Sequence, residues 1–238
     1  MNAFILAAGR GERLRPLTDQ CPKPLIAVDG HPVIDHTLTR LRRWPMERIV
    51  VNTWHLADLL ETHLARHPHW GDRIVISREC ELLETGGGLC NALPLLGEQP
   101  ILAINGDILW DFNLDLLMTA FQPTIMDALL VLVANPVGKG GDFILQNETV
   151  GPLRRCQEGD RMGSMTYSGI QMIHPLALAS YPVVPFSLNR FYDDCLQRER
   201  LYGLRISGDW ADIGTPESLA RARDRWKFPL HIAADSGN

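Results

Sequence analysis

The chain has no apolar stretch that reaches the roughly 18 residues of a membrane-spanning helix. It opens directly on a strand-like run, without a signal peptide, which predicts a cytoplasmic protein and no membrane partner. Cysteine is sparse and odd in number: Cys21, Cys80, Cys90, Cys156 and Cys195, with no Cys-x-x-Cys pair. That count argues for reduced thiols and against a disulfide framework or a zinc site. Cationic excess is also missing. The formal net charge is −5 and the isoelectric point is near 5.9, which excludes bulk nucleic-acid binding. There is no Gly-x-Ser-x-Gly elbow, and no histidine stands in a nucleophile–base arrangement. No internal repeat and no low-complexity tract interrupts the 238 residues.

What is present fits one large α/β domain, with 45% hydrophobic residues to fill its core. Apolar runs at Ala3–Ala8, Arg48–Asn52, Arg73–Ser77, Ile101–Asn105 and Ala128–Ala134 read as buried strands. Between them, Val33, Ile34, Leu38 and Leu41 recur at helical spacing, as do Leu56, Leu59, Leu60 and Leu64, then Leu89, Ala92, Leu93 and Leu96. Strands alternating with helices predict βαβ units and a Rossmann-like, three-layer, mostly parallel sheet. After about residue 135 the texture changes. A Gly-rich loop, Asn135–Gly141, leads to short strand candidates at Phe143–Gln146, Val150–Cys156 and Tyr167–Ile173, which predict a small β-rich part over the sheet. Ser187–Arg200 reads as a helix and Leu201–Ile206 as a final strand. Thr215, Pro216 and Ser218 open a last helix, and a frayed tail follows Phe228.

Most of the chemistry lies in the first 24 residues. The run Ala3–Ala8 stops at Gly9, and Arg10-Gly11-Glu12-Arg13-Leu14-Arg15 and Pro22-Lys23-Pro24 follow. Ligands of open α/β sheets bind past the carboxyl ends of the strands. The loop therefore places backbone N–H groups and the cations Arg13, Arg15 and Lys23 where a polyphosphate would sit. It is not a Walker A loop, and Leu14 replaces the third glycine of the dinucleotide fingerprint, which disfavours a nicotinamide or flavin dehydrogenase. Asp107, at the tip of the Ile101–Asn105 run, and Asp212, ahead of Gly214, are the two carboxylates suited to Mg²⁺ held together with phosphate oxygens. Gly86, Gly87 and Gly88 have no evident packing use in a helix and suit close approach to a flat base. Gly141-Asp142-Phe143 and Thr166-Tyr167-Ser168-Gly169 are candidates for contacting a polyol or for ordinary turns. His63, His67 and His69 have metal-like spacing but read as a solvated helix end, and Cys21 sits near enough to the basic loop for a lowered thiol pKa to be considered.

These motifs together resemble the sugar-phosphate nucleotidyltransferase family. The family signature, Leu-Ala-Ala-Gly-x-Gly-x-Arg-Leu-x-Pro-Leu-Thr followed by Pro-Lys-Pro, matches from Leu6 to Pro24. Its Gly-Asp metal site matches Gly106-Asp107, and its Trp-x-Asp-Ile-Gly-Thr segment matches Trp210–Thr215. The segments Leu83–Gly88, Asn105–Asp107, Gly141–Phe143 and Tyr167–Ile170 look most like the short N-acetylmuramate 1-phosphate uridylyltransferases of peptidoglycan recycling. Three departures stand out. Glu12 replaces the usual Thr, a change also found in the short group. Gln157-Glu158-Gly159 stands where many hexose-1-phosphate members have Glu-Lys-Pro, which weakens a glucose-1-phosphate assignment. No left-handed β-helix follows, which removes an acetyltransferase activity.

The resemblance implies the nucleotide-diphospho-sugar transferase fold and Mg²⁺-dependent transfer of a nucleoside monophosphate from an NTP to a sugar 1-phosphate. The expected substrates are UTP and N-acetylmuramate 1-phosphate, in a monomer or small homo-oligomer. It implies a single domain over 1–228: a nucleotide-binding core at 1–134, a sugar-binding part at 135–206 and the metal Asp with the last helix at 207–228; a tail covers 229–238. Arg13, Lys23 and Asp107 are the expected catalytic residues, and Asp107 and Asp212 the metal ligands. Ala8, Gly9, Gly11, Glu12, Arg13, Lys23, Glu84, Gly86 and Asn105 would bind nucleotide, and Asp142, Glu158, Tyr167, Ser168 and Gly169 the sugar. The alternatives are a guanylyltransferase for mannose or heptose 1-phosphate and a non-catalytic nucleotide-sugar sensor.

Overall fold

The structure is a computed structural model that describes residues 1–136, 140–160 and 163–229. In chain order the elements are β1 (Asn2–Leu6), the hairpin β2 (Ala27–Val28) and β3 (His31–Pro32), α1 (Val33–Leu41), β4 (Arg48–Thr53), α2 (Ala57–Ala65), β5 (Ile74–Arg78), α3 (Glu84–Leu96) and β6 (Ile101–Asn105). Then come β7 (Ile108–Trp110), α4 (Asp115–Ala120), β8 (Ala128–Val133), β9 (Phe143–Leu145), β10 (Val150–Arg155), β11 (Ser164–Ile173), α5 (Leu188–Gln197), β12 (Leu201–Arg205), β13 (Trp210–Asp212) and α6 (Pro216–Arg225).

One nine-stranded sheet has the order β5-β4-β1-β6-β11-β8-β12-β10-β9. β5, β4, β1 and β6 are parallel neighbours, as are β8 and β12, while β11 and β10 run against the strands beside them. The alternation of β1 shows why the sheet is covered twice. Ala3 and Ile5 face a core shared with Ile34, Leu38, Leu60 and Leu64 of α1 and α2, and Phe4 faces a core shared with Leu89, Ala92 and Leu96 of α3. A strand with no polar face can be stable only inside such a three-layer stack. β9 and β10 continue the far edge, and β9 also pairs with the start of β11, so the β-rich part is a curled extension of the same sheet.

A third apolar cluster joins the two ends of the chain. Leu14, Ile26, Val28 and Val33 pack with Leu219, Ala222 and Trp226 of the last helix. That helix begins as the sequence indicates: Thr215 and Ser218 form a reciprocal capping box, with Pro216 in the first turn. The tail expected after Phe228 lies outside the described residues, apart from the buried Pro229. Among the described residues, no helix is long and apolar enough to cross a membrane.

Candidate active site

β1 and β6 end side by side, and a cleft of about 610 Å³ opens over their carboxyl ends. Its first wall is the loop after Leu6. Asn52, at the end of β4, accepts the Ala7 N–H at 2.6 Å and holds the loop's first residue against the sheet. Gly11 has φ +64°, and a Cβ there would stand 2.8 Å from Thr18 Cγ2 and 3.3 Å from Lys23 Cβ, so conformation and space both require glycine. The buried Thr18 donates its hydroxyl to the Gly11 carbonyl at 3.0 Å, closing the loop.

The floor is built from Asn105-Gly106-Asp107. A Cβ on Gly106 would lie 2.8 Å from the Leu6 carbonyl oxygen, which instead accepts the Gly106 N–H at 2.8 Å. Only glycine allows the end of β6 to press this closely on β1 and carry Asp107 over the cleft. Lys23, fixed between two buried prolines, meets the Asp107 carboxylate directly; their side chains are 12% and 29% exposed. β13 pairs with β7, and the Ile213 N–H donates to the Asp107 carbonyl at 3.0 Å, which brings Asp212 alongside. A Cβ on Gly214 would stand 2.9 Å from Arg13 Nη2 and 3.7 Å from Asp212 Oδ2. Gly214 is therefore the gap through which the Arg13 guanidinium reaches the floor.

The opposite wall is Leu82, Glu84 and Thr85 at the start of α3, with Ser187 beside them. Glu84 has φ +57°, strained for a residue with a side chain, at the point where α3 begins.

Of the residues expected to contact nucleotide, Ala8, Gly9, Gly11, Glu12, Arg13, Lys23, Glu84 and Asn105 line this cleft, with Asp107. Gly86 does not, and the expectation for the three glycines needs correction. They lie inside α3 and are buried by packing: added Cβ atoms would stand 2.3 Å from the Phe186 ring at Gly86, 2.1 Å from the Val184 carbonyl oxygen at Gly87 and 2.6 Å from Glu79 Oε1 at Gly88. The Gly86 N–H is already donated to the Phe186 carbonyl at 2.8 Å. The flat surface that Gly86 approaches is the protein's own Phe186.

A second correction concerns the cations. Arg15 faces solvent and pairs with Asp19 at 3.2 Å, while Arg10, unremarked in the sequence, lines the cleft with its guanidinium 4.8 Å from the centre of the Trp54 ring. Asn52, Leu82 and Ser187 are further lining residues that the motifs did not reveal, and Thr85, within the Leu83–Gly88 segment, also lines the cleft. A polar residue ending an otherwise apolar strand, as Asn52 does, was the available signal.

The residues expected to bind sugar are not on this cleft's lining. Asp142 accepts the Tyr167 N–H at 2.8 Å. Tyr167 and Tyr192 hydroxyls stand 3.5 Å apart. Ser168 is buried and accepts the Ile170 N–H at 3.2 Å, and its carbonyl accepts Trp210 Nε1–H at 2.7 Å. Gly169 makes room for Asn105, whose Nδ2 would be 2.8 Å from an added Cβ. Glu158 stands in an exposed turn closed by Asp160, which accepts the Gln157 N–H. Asp212 lines an adjoining cavity of about 770 Å³, shared with Asn135, Pro136 and Trp210. Lys139, in the loop expected to shape the sugar pocket, lies outside the described residues.

The remaining candidates resolve simply. Burial raises the Cys21 thiol pKa, the reverse of the activated reading. His63 bonds Asp35 at 2.7 Å, and no group of three His, Cys, Asp or Glu among the described residues is placed to hold a metal. Asp107, between β6 and β7, and Asp212, in β13, are hard oxygen donors of the type that suits a divalent cation.

Comparison with known proteins agrees with this architecture. The N-acetylmuramate alpha-1-phosphate uridylyltransferase of Caulobacter vibrioides is 36% identical over 234 residues, covering 94% of this chain and 96% of the relative. The enzyme of the same name from Neisseria meningitidis serogroup B is 38% identical over 232 residues, covering 94% and 97%. In three dimensions, HddC from Yersinia pseudotuberculosis, complexed with GMP-PN, superposes with a TM-score of 0.78 at 22% identity, covering 95% of this chain and 99% of that one. Residues 2–143 match the Nucleotidyl transferase family, and with two full-length relatives above 30% identity, the chain belongs to that family.

Proposed function

We propose that this enzyme transfers UMP from UTP to N-acetylmuramate 1-phosphate and releases pyrophosphate. The observation that carries the reading is the cleft floor, where Lys23 is held on Asp107 beside a loop of exposed backbone and Arg13. The choice of substrates rests on the names of the two relatives. The phosphate oxygen of the sugar attacks the α-phosphorus in line as the bond to the β-phosphate oxygen breaks. The attacking group is already an anion, so catalysis is positioning and charge neutralisation, with no general base. The Gly9–Arg13 loop holds the triphosphate through its backbone N–H groups. Arg13 neutralises the leaving pyrophosphate, and Lys23 meets the α-phosphate as charge shifts there. Asp107 and Asp212 would hold Mg²⁺, which would supply further charge neutralisation. Leu82, Glu84 and Thr85 flank the base, and Asn105 contacts the ribose or sugar. Residues 135–206, with Asp142 and Tyr167, carry the sugar.

One experiment tests this reading: pyrophosphate release with Mg²⁺ across a matrix of NTPs and sugar 1-phosphates. UTP with N-acetylmuramate 1-phosphate is expected to give the highest kcat/KM. Preference for GTP with mannose or heptose 1-phosphate would overturn the substrate assignment, and no turnover with any pair would favour a nucleotide-sugar sensor.

A further inference from the structure

Glu79 is a buried carboxylate, 5% exposed, that none of the chemistry above uses. It follows β5 and has no cation among its bonded partners. Its Oε1 accepts from Asn52 Nδ2 at 2.7 Å, and its Oε2 accepts the Leu83 N–H at 3.0 Å. Asn52 Oδ1 in turn accepts the Ala7 N–H at 2.6 Å. The chain of bonds thus begins at the first residue of the phosphate loop and ends at the residue before Glu84 and Thr85. It links one wall of the cleft to the other on the β4 and β5 side of β1. Burying a carboxylate is costly unless its oxygens are satisfied, and here each oxygen is assigned to a different wall.

The count of donors and acceptors makes the carboxylate specific. The Ala7 N–H, Asn52 Nδ2 and Leu83 N–H each need an acceptor, and Asn52 Oδ1 and the two Glu79 oxygens supply them. Replacing one oxygen by an NH₂ leaves a donor facing a donor. Flipping either amide only moves the mismatch along the chain. Gly88 of α3 completes the arrangement, because a Cβ there would stand 2.6 Å from Glu79 Oε1 and 2.7 Å from Asn52 Nδ2.

We propose that Glu79 is a positioning residue that sets the separation of the two walls of the nucleotide cleft, through Asn52 to the phosphate loop and through the Leu83 amide to the base wall. This rests on reading the cleft as the nucleotide site. Glu79 touches no substrate. Its loss acts on nucleotide affinity more than on the chemical step or on the sugar phosphate.

The test compares Glu79→Gln and Gly88→Ala with the wild type in steady-state kinetics, and follows amide hydrogen exchange at Ala7 and Leu83. Both variants are expected to raise the KM for the NTP about tenfold, the loss of one buried acceptor, while the KM for the sugar phosphate stays within about twofold. Exchange is expected to rise about tenfold in Glu79→Gln at Ala7 or Leu83, whichever amide the mismatch reaches. A folded Glu79→Gln protein with an unchanged NTP KM overturns the proposal, as does an equal loss for both substrates. If the wild type itself turns over no NTP, the nucleotide reading fails. The exchange data then still decide whether Glu79 holds both segments.

Discussion

Lys23 and Arg15 lie eight residues apart in one basic segment, yet their surroundings give them different weights. Lys23 is largely withdrawn from water and fixed on Asp107, whereas Arg15 is 55% exposed and pairs with Asp19 in solvent. A preorganised charge in a partly desolvated cleft contributes far more than a screened surface pair. Lys23→Ala and Asp107→Ala are each expected to lower kcat/KM about 10²–10³-fold with the fold intact. Arg15→Ala should change it by no more than about twofold. Pyrophosphate-release kinetics alongside circular dichroism check both, and an Arg15 defect as large as that of Lys23 would refute the ranking. Arg10 gains its place from Trp54, 4.8 Å below the guanidinium. An exposed cation–π contact of about 0.5–1 kcal/mol means that Trp54→Ala should raise the NTP KM roughly two- to fivefold. An unchanged KM would leave Arg10 without a binding role. At this scale the sequence was informative where one residue type is forced by its immediate neighbours. Lys23 between prolines, Gly11 in its loop and Asp107 after Asn-Gly could all be located from local text. Asn52, Glu79 and Arg10 could not, because their significance depends on partners brought together only by folding.

The elements that were legible are the ones with a long period. β1, β4, β6 and β8 have apolar centres because helices cover both faces of the sheet, and α1 buries every apolar position that its spacing marked. β7 and β13 were not legible. Each has three residues, and Trp110 opposite Trp210 leaves no periodic trace over that separation. This short pair nonetheless brings Asp212 to Asp107. The start of α3 was misread for a related reason, since Phe186 and Val184 approach its glycines from a distant segment. The structure separates glycines that look alike in sequence. Gly87→Ala would drive a Cβ into the Val184 carbonyl. It is expected to destabilise the protein by about 1–3 kcal/mol through overpacking, less about 1 kcal/mol of gained helix propensity. A Cβ on Gly9 meets nothing within 4 Å, so Gly9→Ala should stay within about 0.5 kcal/mol of the wild type. Urea denaturation measures both, and a Gly87→Ala protein as stable as Gly9→Ala would show that the segment from Val184 to Phe186 yields freely.

For the whole molecule, the decisive contacts are those that return the C-terminal helix to the N-terminal hairpin. Arg223 donates to the Ala27 carbonyl at 3.1 Å and the Phe228 N–H donates to Asp29 at 2.8 Å. The Phe228 ring stacks on His31 at 3.7 Å and meets His36 edge-on at 4.9 Å. The hairpin follows directly on the loop that carries Lys23, and β13 leads directly into α6, so this junction braces Lys23 and Asp212 together. His36 lies at its centre, 1% exposed. Its Nε2 is 3.0 Å from the Val28 carbonyl and its buried Nδ1 has no partner among the described residues, so the neutral ring with Nε2–H donating fits, while the imidazolium would bury an unpaired N–H. Burial first, then Arg40 and His31, lower its pKa from 6.5, against the Val28 bond and Asp29, which raise it. The direction of the pH effect follows. Below about pH 6.5 the unfolded chain takes up a proton that the folded chain refuses, so stability is full above that range and declines as pH falls through it, by up to about 1.4 kcal/mol per pH unit for one proton. His67 and His69, also lowered by burial, act in the same direction, and Glu79, raised by burial, acts in the opposite one. The informative quantity is therefore a difference. His36→Gln keeps a donor for Val28 without a titrating ring, so its stability should fall less steeply than that of the wild type between about pH 7 and 5. Chemical denaturation at each pH provides the two slopes. Parallel slopes would mean that His36 accepts its proton without strain and that the junction opens before the ring is charged.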